Sequence, residues 1–89
     1  MNSNENWHLE IDPSVYKTLT RVPKKDSVRI GAAIEQLVVN PYAGDTHKLG
    51  GEDIVWRRRI GSYRIFFELH VGMHHISVFE LTRRGSKTY

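Results

Sequence analysis

Between residues 54 and 82 the chain reads as three β-strands in immediate succession, and no other stretch constrains the fold as tightly. Apolar and β-branched or aromatic residues dominate 54–60, 63–69 and 76–82, and short turn signals separate the three runs. Gly61-Ser62 fits a two-residue hairpin turn with glycine first, and Val71-Gly72-Met73 falls in the next turn. Strands joined so tightly pair antiparallel. A strand period also decides which side chains share a face, because successive residues point to opposite sides.

The first half supplies what such a sheet needs to bury one face. Trp7-His8-Leu9-Glu10-Ile11 alternates apolar and polar residues, the period of a half-buried strand. Asp12-Pro13 offers a helix N-cap followed by proline at the first helical position. A short helix is therefore predicted over 13–21, with Val15, Leu19 and Val22 on one stripe. Pro23 ends it and opens a second, longer helix, in which Val28, Ile30, Ile34, Leu37 and Val38 approximate one apolar face, with Ala32 and Ala33 alongside. Asn40-Pro41 stops that helix, and 41–53 is predicted as a loop carrying Gly44, Gly50 and Gly51. The order βααβββ implies an α+β domain, a helical hairpin packed on one face of a four-stranded, mostly antiparallel sheet, with residues 1–89 forming a single domain.

Charge is distributed unevenly along this plan. Residues 1–53 carry six Lys/Arg against eight Asp/Glu, a balance of −2, whereas 54–89 carry seven against two, a balance of +5. A polyanionic partner at one end of the fold is the functional reading, and a solvated basic face the bland one. The chain has no cysteine, so disulfide and thiolate chemistry are excluded. Residues 1–5 are polar and no apolar run approaches a membrane span, so a soluble cytoplasmic protein is expected.

Strand alternation sorts the basic residues. Arg57 and Arg59 share a face that Arg58 does not, and Arg64 on the next strand is placed to join them. Three crowded guanidiniums are unfavourable unless an anion or carboxylates compensate, and Glu68 and Glu80 are the candidate compensators for a plain ion-pair network. The alternative is a phosphodiester, whose oxygens match the guanidinium fork and whose charge grows in the transition state of cleavage. Tyr89 adds a face on which an unpaired base can stack. Other chemistries lack support. His74-His75 are adjacent and point apart, so neither a metal nor a cofactor is expected, and Gly50-Gly51 reads as a turn and not as a phosphate loop. His47 is read as a solvated loop residue.

At this point the sequence resembles a known family. Lys48-Leu49, then Trp56-Arg57-Arg58-Arg59-Ile60-Gly61-Ser62-Tyr63-Arg64-Ile65-Phe66-Phe67, then Arg83 and the closing Tyr89 are similar to the pattern of the RelE/ParE toxin superfamily. The resemblance implies the same fold over nearly the whole chain. It also implies that Arg57, Arg59, Arg64, Arg83 and Tyr89 occupy the positions that surround the scissile phosphate in RelE-type toxins, which cut messenger RNA in the ribosomal A site. Lys48, Arg84 and Lys87 are then expected to add RNA contacts. The two basic residues of the first hairpin strand are arginines here, where lysine is usual. An arginine is almost never neutral, so Arg57 and Arg59 are assigned charge stabilisation. Proton removal falls to Tyr89, to a ribosomal group or to water, and Arg83 to acid or phosphate-clamp duty. The resemblance implies an antitoxin partner bearing apolar helix residues and carboxylates. Two further readings stay open: a ParE-type, non-enzymatic inhibitor of DNA gyrase, and a catalytically weak RNA-binding member of the superfamily.

Overall fold

The computed structural model describes residues 6–51 and 53–83. Its elements run β1 (His8–Ile11), α1 (Pro13–Leu19), α2 (Lys24–Val39), β2 (Asp45–Lys48), β3 (Val55–Ile60), β4 (Tyr63–His70) and β5 (His75–Arg83), with a 3-10 turn at Val71–Met73. The strands form one sheet in the order β1-β5-β4-β3-β2. β1 lies parallel to β5 and the other neighbours are antiparallel.

The sheet therefore has five strands and not four. The additional strand, β2, lies inside the stretch predicted as a loop. Its residues, Asp45-Thr46-His47-Lys48, include no apolar side chain, so no hydrophobic period marks it. It needs none: β2 is an edge strand, held by its backbone pairing with β3, and polar residues are what a sheet edge tolerates.

Local chemistry accounts for the helices. Asp12 caps α1, accepting hydrogen bonds from Ser14 N at 3.1 Å and Ser14 Oγ at 2.7 Å, and these bonds hold its carboxyl below the usual carboxylate range. Pro13 occupies the first turn, as its fixed φ and missing donor allow. α2 starts directly after Pro23 and stops at Asn40, whose extended backbone (φ −152°) breaks the helix before Pro41.

α2 buries Ile30, Ala33, Ile34 and Leu37, a stripe at i, i+3, i+4 and i+7. Val28, predicted on this face, is instead 60% exposed, because it lies about 200° around the helix from Ile30. The helical stripe and Val15 of α1 pack onto Tyr63, Ile65, Phe67, Leu69, Ile76, Val78 and Leu81, all from one face of β4 and β5. Tyr63 closes the end of this core with its hydroxyl donating to Asp26 Oδ2 at 3.1 Å. Burial first, and the Asp26 contact second, push its phenol above the ordinary tyrosine value.

Two features set the opposite face. The Gly61-Ser62 turn, with φ +59° at Gly61, pairs Ile60 with Tyr63 and so places Arg59 directly across from Arg64. A bulge lies between β4 and β5: Phe66 pairs with Glu80 but Phe67 with Val78, which leaves Phe79 as the extra residue. The Phe79 ring then sits beside Phe66, centroids 6.3 Å apart. No described helix is long and apolar enough to cross a membrane.

Candidate nucleic-acid interface

The face turned away from the helices carries a row of arginines at one end. β3 contributes Arg57 and Arg59, and β4 contributes Arg64. In a hairpin closed by a two-residue turn the first pair is hydrogen-bonded, so Arg59 and Arg64 form the next, non-hydrogen-bonded pair. Side chains approach most closely in that kind of pair, with Cα atoms about 4.5 Å apart. Like charges directly opposite one another destabilise a sheet. The Nε atoms of Arg57, Arg59 and Arg64 are buried and find no hydrogen-bond partner among the described residues.

The compensating carboxylate is neither Glu68 nor Glu80. It is Asp45, on the strand that hydrophobic pattern could not reveal. Asp45 pairs with Arg59 across β2 and β3, with Oδ2 3.7 Å from Arg59 Nε. Its other oxygen, Oδ1, meets His47 Nε2 at 3.0 Å. His47 itself lies directly across from Arg57, in a strand and not in a loop. Glu68 is taken up by His70, at 3.1 Å, and Glu80 lies exposed opposite Phe66. Among the described residues only Arg59 of the row meets a carboxylate, an arrangement that leaves strong attraction for an anion with several oxygens.

Below the arginines the same face becomes aromatic and then acidic. Phe66 and Phe79 lie next along the sheet. Beyond them Glu10 meets His75 Nε2 at 3.0 Å, tying β1 to β5. His74 takes the left-handed turn position (φ 55°) and stacks on Trp7 at 4.1 Å, so the two adjacent histidines do point apart. Among the described residues no three His, Cys, Asp or Glu side chains gather as a metal site would require.

The structure brings Arg57, Arg59 and Arg64 together on the open face. Arg83 pairs with Tyr63 at the end of β5, and its guanidinium lies 6.0 Å from that ring's centroid, on the side of the strand facing the helices. Lys48 pairs with Trp56 and likewise falls on the opposite face from Arg57. Arg84, Lys87 and Tyr89 lie outside the described residues. Asp45 and His47 are the site residues that sequence reasoning missed. Their i, i+2 spacing next to a basic hairpin was the available signal, and it had meaning only once the segment was known to be a strand.

Two helices on one face of a five-stranded sheet, with an arginine row on the other, define a small α+β domain built to present cationic side chains from the sheet itself. No protein-family model matches the chain, and no curated protein does. Solved structures do. A chain of the archaeal RelE-RelB complex from Pyrococcus horikoshii OT3 superposes with a TM-score of 0.81 at 25% identity, covering 92% of this chain and 99% of that one. A chain of the RelB-RelE antitoxin-toxin complex from Methanococcus jannaschii gives 0.72 at 25% identity, over 86% and 92%. The YoeB/ParE toxin from Agrobacterium tumefaciens gives 0.70 at 18% identity, over 86% and 98%. The fold is that of the RelE/ParE toxin superfamily, and the helical hairpin on an α+β sheet expected from the residues is the one observed.

Proposed function

We propose that this chain is the toxin of a type II toxin–antitoxin pair, acting in the cytoplasm as a ribosome-dependent endoribonuclease that cuts messenger RNA in the A site. The observation that carries the reading is the row Arg57, Arg59 and Arg64, three guanidiniums on the sheet face turned away from the helices, with Asp45 flanking Arg59. Its similarity, at 25% identity, to chains of RelE–RelB complexes supports both the toxin class and an antitoxin partner.

In the proposed reaction the 2′-hydroxyl oxygen attacks the adjacent phosphorus and the bond to the 5′-oxygen breaks. A 2′,3′-cyclic phosphate and a 5′-hydroxyl result. The arginines neutralise the extra charge of the pentacovalent phosphorane and are permanently protonated, so they take no proton. His47 is the group beside the row suited to accept the 2′-hydroxyl proton. Asp45 holds its ring through Nε2, which leaves the lone pair of Nδ1 to take the proton. Water returns a proton to the leaving 5′-oxygen. Positioning of the message by the ribosome completes the site.

Primer extension on messages recovered from a translation reaction tests this. Wild type should leave discrete cuts that Arg64→Ala loses, while naked RNA stays largely intact. Identical patterns from both proteins, or inhibition of gyrase supercoiling without any RNA cuts, would replace the reading.

A further inference from the structure

Phe66 and Phe79 stand side by side on the sheet face that carries the arginine row, with ring centroids 6.3 Å apart and planes inclined by 36°. Both are partly exposed, and neither belongs to the core, which lies under the helices on the other face. The bulge in β5 sets their arrangement. A regular strand would place one residue opposite Phe66, whereas here Phe79 and Glu80 share that position, so a ring and a carboxylate reach the same level of the sheet.

That level is filled in a definite order. His47 pairs with Arg57, Arg57 with Phe66, and Phe66 with Glu80, each on the next strand. From β3 to β5 the face therefore presents a guanidinium, two aromatic rings and a carboxylate, across two strand spacings of about 4.8 Å each. A nucleotide has the matching order: an anionic phosphate, then a base with a π-face, then the hydrogen-bonding edge of that base. A phosphate on Arg57 brings its base over Phe66 and Phe79, where stacking tolerates any base. The far edge then meets Glu80, which is exposed and, unlike Glu68, has no imidazole or guanidinium partner among the described residues. A carboxylate accepts from an exocyclic amino group such as N4 of cytosine and repels the carbonyl oxygen that uracil carries at the same place. It also repels phosphate, which sets the direction in which the nucleotide lies across the strands.

We propose that Phe66, Phe79 and Glu80 form a subsite for one base of single-stranded RNA, that of the nucleotide whose phosphate lies on Arg57, and that the subsite prefers a base with an exocyclic amino group over uracil. The inference deepens the proposed function and rests on its RNA substrate, but not on the chemistry of cleavage.

Fluorescence anisotropy with two labelled 2′-O-methyl pentanucleotides, UUCUU and UUUUU, tests it. Neither strand has a free 2′-hydroxyl at an internal position, so binding is read without cutting. Cytosine and uracil are alike in size, so the difference between the strands isolates the base edge. Wild type should bind UUCUU tighter by about fivefold or more. Glu80→Gln, whose amide both donates and accepts, should bind the two alike. Phe79→Leu keeps apolar bulk but loses the π-face, and should weaken both strands by about tenfold, while Phe79→Trp should restore them. Arg64→Ala should weaken both equally and keep the preference. Equal binding of the two strands by wild type, a preference that survives Glu80→Gln, or full affinity in Phe79→Leu would overturn the subsite and leave Phe66 and Phe79 a cross-strand pair. Salt-dependent binding without the preference removes the subsite alone, whereas no binding of either strand removes the RNA reading with it.

Discussion

Asp45 faces Arg59 across the β2–β3 pair, with 3.7 Å between Oδ2 and Nε, and the same carboxylate reaches His47 through Oδ1. This one side chain links the charge of the arginine row to the imidazole beside it. The exposed ion pair contributes little to stability, about 0–1 kcal/mol. Its effect is on the site.

Separating binding from catalysis checks that link. Asp45→Asn removes negative charge from the row, so filter binding should show tighter RNA association, while cleavage falls because His47 loses its orienting acceptor. His47→Gln should leave RNA association nearly unchanged and lower cleavage by about 10²-fold.

Arg64→Ala removes the cation directly opposite Arg59. Loss of one preorganised donor to a developing charge lowers cleavage by about 10²–10³-fold. If the side chain contacts a phosphate, the slope of log affinity against log salt should fall by about 0.7 in single-stranded RNA. Affinity measured from 50 to 300 mM salt reads this directly.

Glycines at positive φ are not equivalent here. Gly51→Ala (φ +84°) meets nothing within 4 Å, so it costs the left-handed strain alone, about 1–2 kcal/mol. Gly44→Ala (φ +71°) adds a collision with the Arg58 guanidinium and should destabilise more in urea unfolding. Combining it with Arg58→Met, whose side chain is flexible and uncharged, should recover the difference between the two.

Tyr63 predicts an alkaline loss of stability. Burial and Asp26 raise its phenol in the folded state, so the native chain keeps a proton that the unfolded chain releases. The contribution is fully present below the unfolded value of 10.0 and is lost as pH rises through the higher folded value. Unfolding midpoints measured from pH 8 to 11 should decline at the alkaline end, and Tyr63→Phe should flatten that part of the curve.

Local sequence rules were enough for most of the frame. Asp12-Pro13 starts α1, Pro23 and Pro41 bound α2, and Gly61 turns the central hairpin, because capping, fixed φ and positive φ act within a few residues. The same alternation that makes strands of 54–82 also puts Arg57 and Arg59 on one face and Arg58 on the other. Lys48 and Arg83 follow that period too, and once each strand's partner is known it carries them to the helix side. The sequence therefore determined every element but β2, and the centre of the arginine row.

Tertiary structure decided what surrounds that row. β2 has no apolar period and exists only because β3 offers it a hydrogen-bonding edge, so Asp45 and His47 could join the site only after that pairing formed. Arg58 reads in the sequence as one more cation in a basic run. Its burial and its hydrogen bond to Gln36 depend on α2 lying over β3, a contact between residues twenty-two apart that no local pattern encodes.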